Sequence, residues 1–214
     1  MSLATKICGL NDEAGVAAAV AGGARFVGFV FYRPSPRYVA PERAKALAAL
    51  VPTGITRVGL FVDADDAAIA AALAAPLDML QFHGAETPSR VAAAKRRFGL
   101  PLMKAISVAA PDDLAEAERF ALSADWLLFD AKPPRDRAGG LPGGNGIAFD
   151  WQLLGARHWP LPSMLSGGLT AENLDEAVAA THATAVDVSS GVESRPGLKD
   201  PAKIAGFLRV ASSL

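Results

Sequence analysis

The sequence predicts an α/β protein, a single closed (β/α)8 barrel of the TIM type over residues 1–214. Short runs rich in Val, Ile, Leu and Phe alternate with Ala-rich stretches of helical period from end to end, the signature of a parallel sheet built from βα units. Eight such units in this length leave about 27 residues each, close to the lower bound for a (β/α)8 barrel. The residues capable of chemistry follow the strands: Cys8, Arg37, Asp63, His83, Ser107, Asp130, Gly167-Gly168 and Ser189-Ser190-Gly191. A barrel gathers such positions around one mouth. An open doubly wound sheet shares the alternation and is the structural rival.

In chain order, the strands are predicted at Thr5 to Cys8, Phe26 to Phe31, Arg57 to Val62, Leu77 to Phe82, Leu100 to Ile106, Trp126 to Asp130, Pro162 to Leu165 and Ala185 to Val188. Several are apolar at nearly every position, as strands buried on both faces should be. Asn11 is expected to cap a first helix ending at Gly22-Gly23. Pro41 marks the second helix start, and Thr87-Pro88 opens a helix that Gly99 ends. Pro111 and Thr170 mark two further starts, Thr170 reading as a cap. Asp200-Pro201 opens the last helix, with Ile204, Phe207, Leu208 and Ala211 along one face. One loop stands out, Ala131 to Ala148, where paired prolines and glycines forbid regular structure. Its charged stretch, with Lys132, Arg135, Asp136 and Arg137, reads as a mobile cover over the mouth.

Half the residues are hydrophobic (51%) and 20% are charged, which excludes a disordered chain and supplies a large core. With 21 basic and 22 acidic residues the net charge is -1. Neither nucleic acid nor an anionic membrane is therefore expected as a partner, and an anion must be caught by a local site. The one cysteine, Cys8, excludes an intrachain disulfide, and no apolar run is long enough for a signal peptide or a membrane span. A cytoplasmic setting is expected.

By position alone, Cys8 reads first as a small buried hydrophobe and Asp130 as a cap or ion-pair partner. The functional alternative is a base and an acid, since a thiolate can remove a proton and a partly desolvated carboxyl can hold one. Arg37 and nearby helix N-termini are expected to favour the thiolate. The clusters Ser166-Gly167-Gly168 and Ser189-Ser190-Gly191 follow strands seven and eight, where barrels build phosphate sites from backbone N–H groups. Gly146 adds a further candidate donor. Arg37 is either a solvated loop residue or a guanidinium for a carboxylate or ring, and His83 is equally open. His83, His158 and His182 lack metal-ligand spacing. Asp187 points away from its neighbours Val186 and Val188, toward the barrel interior, where a carboxylate needs a partner.

Taken in order, these pieces resemble the phosphoribosylanthranilate isomerases of tryptophan biosynthesis. The matching motifs are Lys6-Ile7-Cys8-Gly9, Ser35-Pro36-Arg37-Tyr38-Val39, Val58-Gly59-Leu60-Phe61, Gln81-Phe82-His83-Gly84, Asp130, Gly143-Gly144-Asn145-Gly146 before Phe149-Asp150-Trp151, Ser166-Gly167-Gly168-Leu169, and Val186-Asp187-Val188-Ser189-Ser190-Gly191-Val192-Glu193 with Lys199-Asp200. The resemblance implies an Amadori rearrangement with Asp130 as general acid and Cys8 as general base. It further implies that Arg37, His83 and Asp187 contact the substrate, with Arg37 at the anthranilate end. Gly146, Gly167, Gly168, Ser190 and Gly191 would hold the phosphate. No metal or organic cofactor is implied, and a monomer or homodimer is expected to act on a small phosphorylated substrate. Leu10-Asn11, Phe82 and Ser166 depart from the family's usual residues without removing a proposed catalytic group. Another phosphosugar isomerase or epimerase barrel, or a silent barrel binding a phosphorylated metabolite, are the alternatives.

Overall fold

A computed structural model describes residues 3–132, 143, 144, 146, 148–155 and 157–214. Eight parallel strands close into a barrel in sequence order: β1 (Ala4–Cys8), β2 (Phe26–Val30), β3 (Thr56–Phe61), β4 (Met79–Phe82), β5 (Leu102–Val108), β6 (Trp126–Ala131), β7 (Ser163–Leu165) and β8 (Ala185–Val188). β1 pairs with both β2 and β8, so no edge is left and the open-sheet alternative is excluded.

The helices that return the chain are α1 (Glu13–Ala21), α2 (Pro41–Ala48), α3 (Asp66–Ala72), α4 (Pro88–Phe98), the single turns α5 (Ala115–Glu118) and α6 (Gln152–Gly155), α7 (Leu174–Thr181) and α8 (Pro201–Ser212). Their starts follow capping chemistry. Thr87 Oγ1 accepts from the Arg90 N–H at 3.2 Å, and Asp200 Oδ1 accepts from the N–H groups of Ala202 and Lys203. Two expected caps are displaced. Asp12, not Asn11, caps α1, its Oδ1 accepting from Gly15 N–H at 2.7 Å. Asn11 instead donates through Nδ2 to the carbonyl of Gly197 at 2.9 Å, so it joins the first loop to the last. Asn173, rather than Thr170, stands at the N-cap of α7. Its side chain accepts from Thr170 N–H and donates to Gly168 O, which ties down the loop after β7.

Alternation along the strands divides the apolar residues into two sets. Outward residues such as Ile7, Phe29, Phe61, Leu80 and Leu127 meet Val16, Leu47, Ile69, Val91, Leu174, Ile204 and Phe207 of the helices in one continuous core. Inward residues Phe26, Val58, Met79, Met103, Ala105, Leu128, Met164 and Ala185 form a separate cluster near the N-terminal ends of the strands. That plug makes the lower barrel a packed interior. Polar inward residues therefore concentrate above it, toward the C-terminal ends.

Candidate active site

A cavity opens to solvent at the C-terminal ends of the strands. Cys8, Arg37, His83, Asp130, Gly146, Gly167, Gly168, Asp187 and Ser190 all line it. Of the expected site residues only Gly191 is absent from this lining; it lines a neighbouring hollow together with Gly146, Gly168, Ser190 and Lys203. His158 and His182 lie together elsewhere, around β7 near Ser163 and Thr184. The proposed cover falls largely on residues 133–142, outside the described residues.

The floor of the cavity is ionic. β1 and β8 meet with Lys6 opposite Asp187, both inward, and Lys6 Nζ donates to Asp187 Oδ1 at 2.9 Å. Ser166 Oγ donates to the other oxygen at 3.1 Å. The interior carboxylate thus has the partner its position demanded. Burial works against the Lys6 ammonium, but the charge of Asp187 and the neighbouring Cys8 outweigh it, and the net shift is upward. Removing one partner of so buried a pair leaves an uncompensated charge. Lys6→Met should therefore cost about 3–5 kcal/mol of unfolding free energy, and adding Asp187→Leu should recover most of it. Urea melts of the three chains check this; a single-variant loss below about 1 kcal/mol would mean that the pair contributes little.

Cys8 sits above this pair, 4% exposed, packed with Val30 and Leu60 and flanked by Tyr32 and Val62. Its register partner Gly28 makes the room, because a Cβ there would lie 3.0 Å from the sulfur and 3.3 Å from Lys6 Nζ. Burial pushes the Cys8 thiol upward, and the charges of Lys6 and Lys199 offset this only in part. This corrects the expected thiolate-favouring surroundings. The Arg37 charge expected beside it is engaged elsewhere.

Arg37 is buried rather than solvated, and it makes a two-pronged pair with Glu193, Nε to Oε1 at 2.7 Å and Nη2 to Oε2 at 2.9 Å. Nη2 also donates to Gly144 O. Lys199 Nζ donates to the same Glu193 at 2.8 Å and to Ser189 O. Burial alone would raise Glu193, but the two cations bring it below the ordinary carboxylate range. For Lys199, burial prevails and the shift is downward. Glu193, on the first strand of the hairpin β9 (Glu193–Arg195) and β10 (Leu198–Lys199), fixes the guanidinium plane. Sequence reading placed this carboxylate and both lysines in motifs but assigned them no role. A lysine two residues before an inward cysteine on one strand was the available signal for Lys6.

Asp130, at the end of β6, is 3% exposed. Its Oδ1 accepts from Ala131 N–H at 2.9 Å, and its Oδ2 stands 3.2 Å from His83 Nε2. It therefore joins its neighbours across the mouth and caps no helix among the described residues. Gly143 passes directly above, where a Cβ would come within 2.6 Å of both the carboxyl and the imidazole. Between the ends of β7 and β8 the loops touch. Gly167 and Gly168 both have positive φ, +91° and +65°, a pair that side chains resist. A Cβ on Gly191 would overlap the carbonyl of Leu169, so these two loops approach as closely as glycine permits.

A closed eight-stranded barrel with its polar residues at the C-terminal mouth defines a (β/α)8 enzyme whose site is built from the βα loops. The comparisons with known proteins make the class specific. The family model described as N-(5'phosphoribosyl)anthranilate (PRA) isomerase matches residues 5–210, and the chain belongs to that family. It is similar to the N-(5'-phosphoribosyl)anthranilate isomerase of Paracoccus denitrificans, 58% identical over 214 residues, covering 100% of this chain and 99% of the relative. The crystal structure of phosphoribosyl anthranilate isomerase from Thermotoga maritima superposes with a TM-score of 0.86 at 34% identity, over 99% of this chain and 100% of that one. A second solved structure, of a phosphoribosyl anthranilate isomerase in complex with reduced 1-(o-carboxyphenylamino)-1-deoxyribulose 5-phosphate, matches at TM-score 0.82 and 32% identity, covering 99% and 100%.

Proposed function

We propose that this isomerase carries out the Amadori rearrangement of N-(5-phosphoribosyl)anthranilate to 1-(2-carboxyphenylamino)-1-deoxyribulose 5-phosphate in tryptophan biosynthesis. The observation that carries the reading is the joint presence of Cys8 and Asp130 on one cavity, three strands apart around the ring. Asp130, protonated, gives its proton to the ribose ring oxygen as the C1–O bond breaks, leaving an iminium between C1 and the anthranilate nitrogen. The iminium acidifies the C2–H. Cys8, as thiolate, takes that proton and yields an enolamine, which becomes the ketose by gaining a proton at C1 as its C2 hydroxyl gives one up. A thiol pushed up by burial is less often ionised but more basic once it is.

The cavity walls suit the two ends of such a substrate. Val30, Tyr32, Leu60 and Val62 offer an apolar face beside Arg37, fit for an aromatic ring carrying a carboxylate. Gly146, Gly167, Gly168, Ser190 and Gly191 supply small residues and amides for the phosphate. His83 and Asp187 face the sugar between them; each Asp187 oxygen keeps a lone pair for a hydroxyl beyond its protein partner.

Mixing the pure protein with phosphoribosylanthranilate and following anthranilate fluorescence tests the reading. Turnover is expected, and an unchanged signal would overturn it. The dephosphorylated substrate should lose most of its kcat/KM, inorganic phosphate should inhibit competitively, and a bulky residue at Gly168 should hurt more than removal of Lys203. Equal activity on both substrates would leave the glycines as turn residues.

A further inference from the structure

The Gln81 side chain is fully buried on β4, two residues before His83, and its Oε1 has no hydrogen-bond partner among the described residues. A buried polar atom left unpaired is costly and calls for an explanation. The other end of the same amide supplies one. Gln81 Nε2 lies 3.1 Å from His83 Nδ1, and an amide nitrogen can only donate. With the amide this way round, Nδ1 accepts. An imidazolium, or the tautomer protonated at Nδ1, would set hydrogen against hydrogen at this contact. The single ring proton consequently sits on Nε2, which stands 3.2 Å from Asp130 Oδ2.

We propose that Gln81 is a positioning residue for the reaction, holding His83 in the Nε2–H tautomer so that the imidazole donates to Asp130. The role rests on reading Asp130 as the general acid. When Asp130 gives up its proton, its carboxylate finds two donors already in place, His83 Nε2–H on Oδ2 and Ala131 N–H on Oδ1. Donors preset for a charge that develops during reaction lower the barrier without reorganisation. Turning the amide over would make Nε2 of His83 an acceptor that pulls the Asp130 proton away from the substrate. It would also leave an N–H2 group without an acceptor, a rarer state in protein interiors than a lone carbonyl. The unpaired Oε1 is the residue of that choice.

The experiment uses the whole enzyme labelled with 15N-histidine, whose ring-nitrogen shifts distinguish the tautomers. With three histidines in the chain, the His83 signals are assigned by their loss in His83→Asn. Wild type should show a bare Nδ1 and a protonated Nε2, and a protonated Nδ1 would overturn the proposal. Gln81→Met removes the donor at similar length, and Gln81→Glu replaces it with an acceptor that draws the proton to Nδ1. Both should lower kcat by about tenfold or more, with KM for phosphoribosylanthranilate within about twofold. Full kcat in either folded variant with a shifted tautomer would overturn the role. Should both variants fail to fold, the wild-type spectrum decides. If Asp130→Asn kept its turnover while the wild-type tautomer was as expected, the acid reading would fall and take the catalytic role of Gln81 with it, though the hydrogen-bond assignment would stand.

Discussion

Asp130→Asn should lower kcat by about 10² or more while KM changes little, because the amide keeps the shape of the carboxyl but has no proton acidic enough to give. The strand end should tolerate the substitution. An asparagine oxygen can still accept from Ala131 N–H, as Oδ1 does at 2.9 Å, so the end of β6 should hold its course. Its Nδ2 would face the His83 Nε2–H donor to donor, so that contact is lost with the acidic proton, while the residues assigned to the ring and the phosphate are untouched and the loss should fall on ring opening rather than on binding. Steady-state rates with phosphoribosylanthranilate, together with a melting curve matching the parent, check the expectation. Near-normal turnover would show that Asp130 only completes the strand end and its contacts.

The second large effect belongs to Cys8. Cys8→Ser keeps a group of similar size in the space that Gly28 leaves, yet a hydroxyl hardly ionises near neutrality, so kcat should again fall by about 10² or more in a normally folded chain. Alkylation gives an independent view, since this is the only thiol. One label per chain should abolish activity in step with its incorporation, and a product analogue carrying both phosphate and anthranilate should slow the reaction. The pH dependence has a definite sign. Burial shifts the thiol upward, so less thiolate is present at neutral pH than in a free cysteine, and the labelling rate should keep climbing into the alkaline range beyond the ordinary thiol value. A plateau near neutrality would contradict this account of the pocket. Resistance in the native state with reaction only in denaturant would mark a core cysteine, and full labelling with activity kept would remove Cys8 from the mechanism.

Much of the fold was legible because its signals are local. Near-continuous apolar runs such as Phe26 to Val30 and Trp126 to Phe129 mark strands covered on both faces, and Thr87-Pro88 and Asp200-Pro201 mark helix starts through hydrogen bonds that close within three residues. Where two adjacent residues could both cap, local chemistry did not decide. Asn11 and Asp12 are equally able, and Asn11 was drawn off by Gly197, 186 positions away in the chain. Thr170 likewise yielded the N-cap position to Asn173, because Asn173 also reaches back to Gly168 and so holds the turn.

The sequence by itself determined that Cys8, Arg37, His83, Asp130 and the glycine clusters follow strands, and that Asp187 turns inward; strand order and period-two alternation suffice for that. Tertiary structure decided what each of them touches. Lys6 meets Asp187 across 181 positions only because the barrel closes β1 onto β8 in that register. Arg37 meets Glu193 across 156 positions only because the hairpin after β8 folds over the second loop. The direction of the Cys8 shift follows from the same closure, since burial of the thiol and the distance of its cations are properties of the packed barrel mouth, and no stretch of sequence contains them.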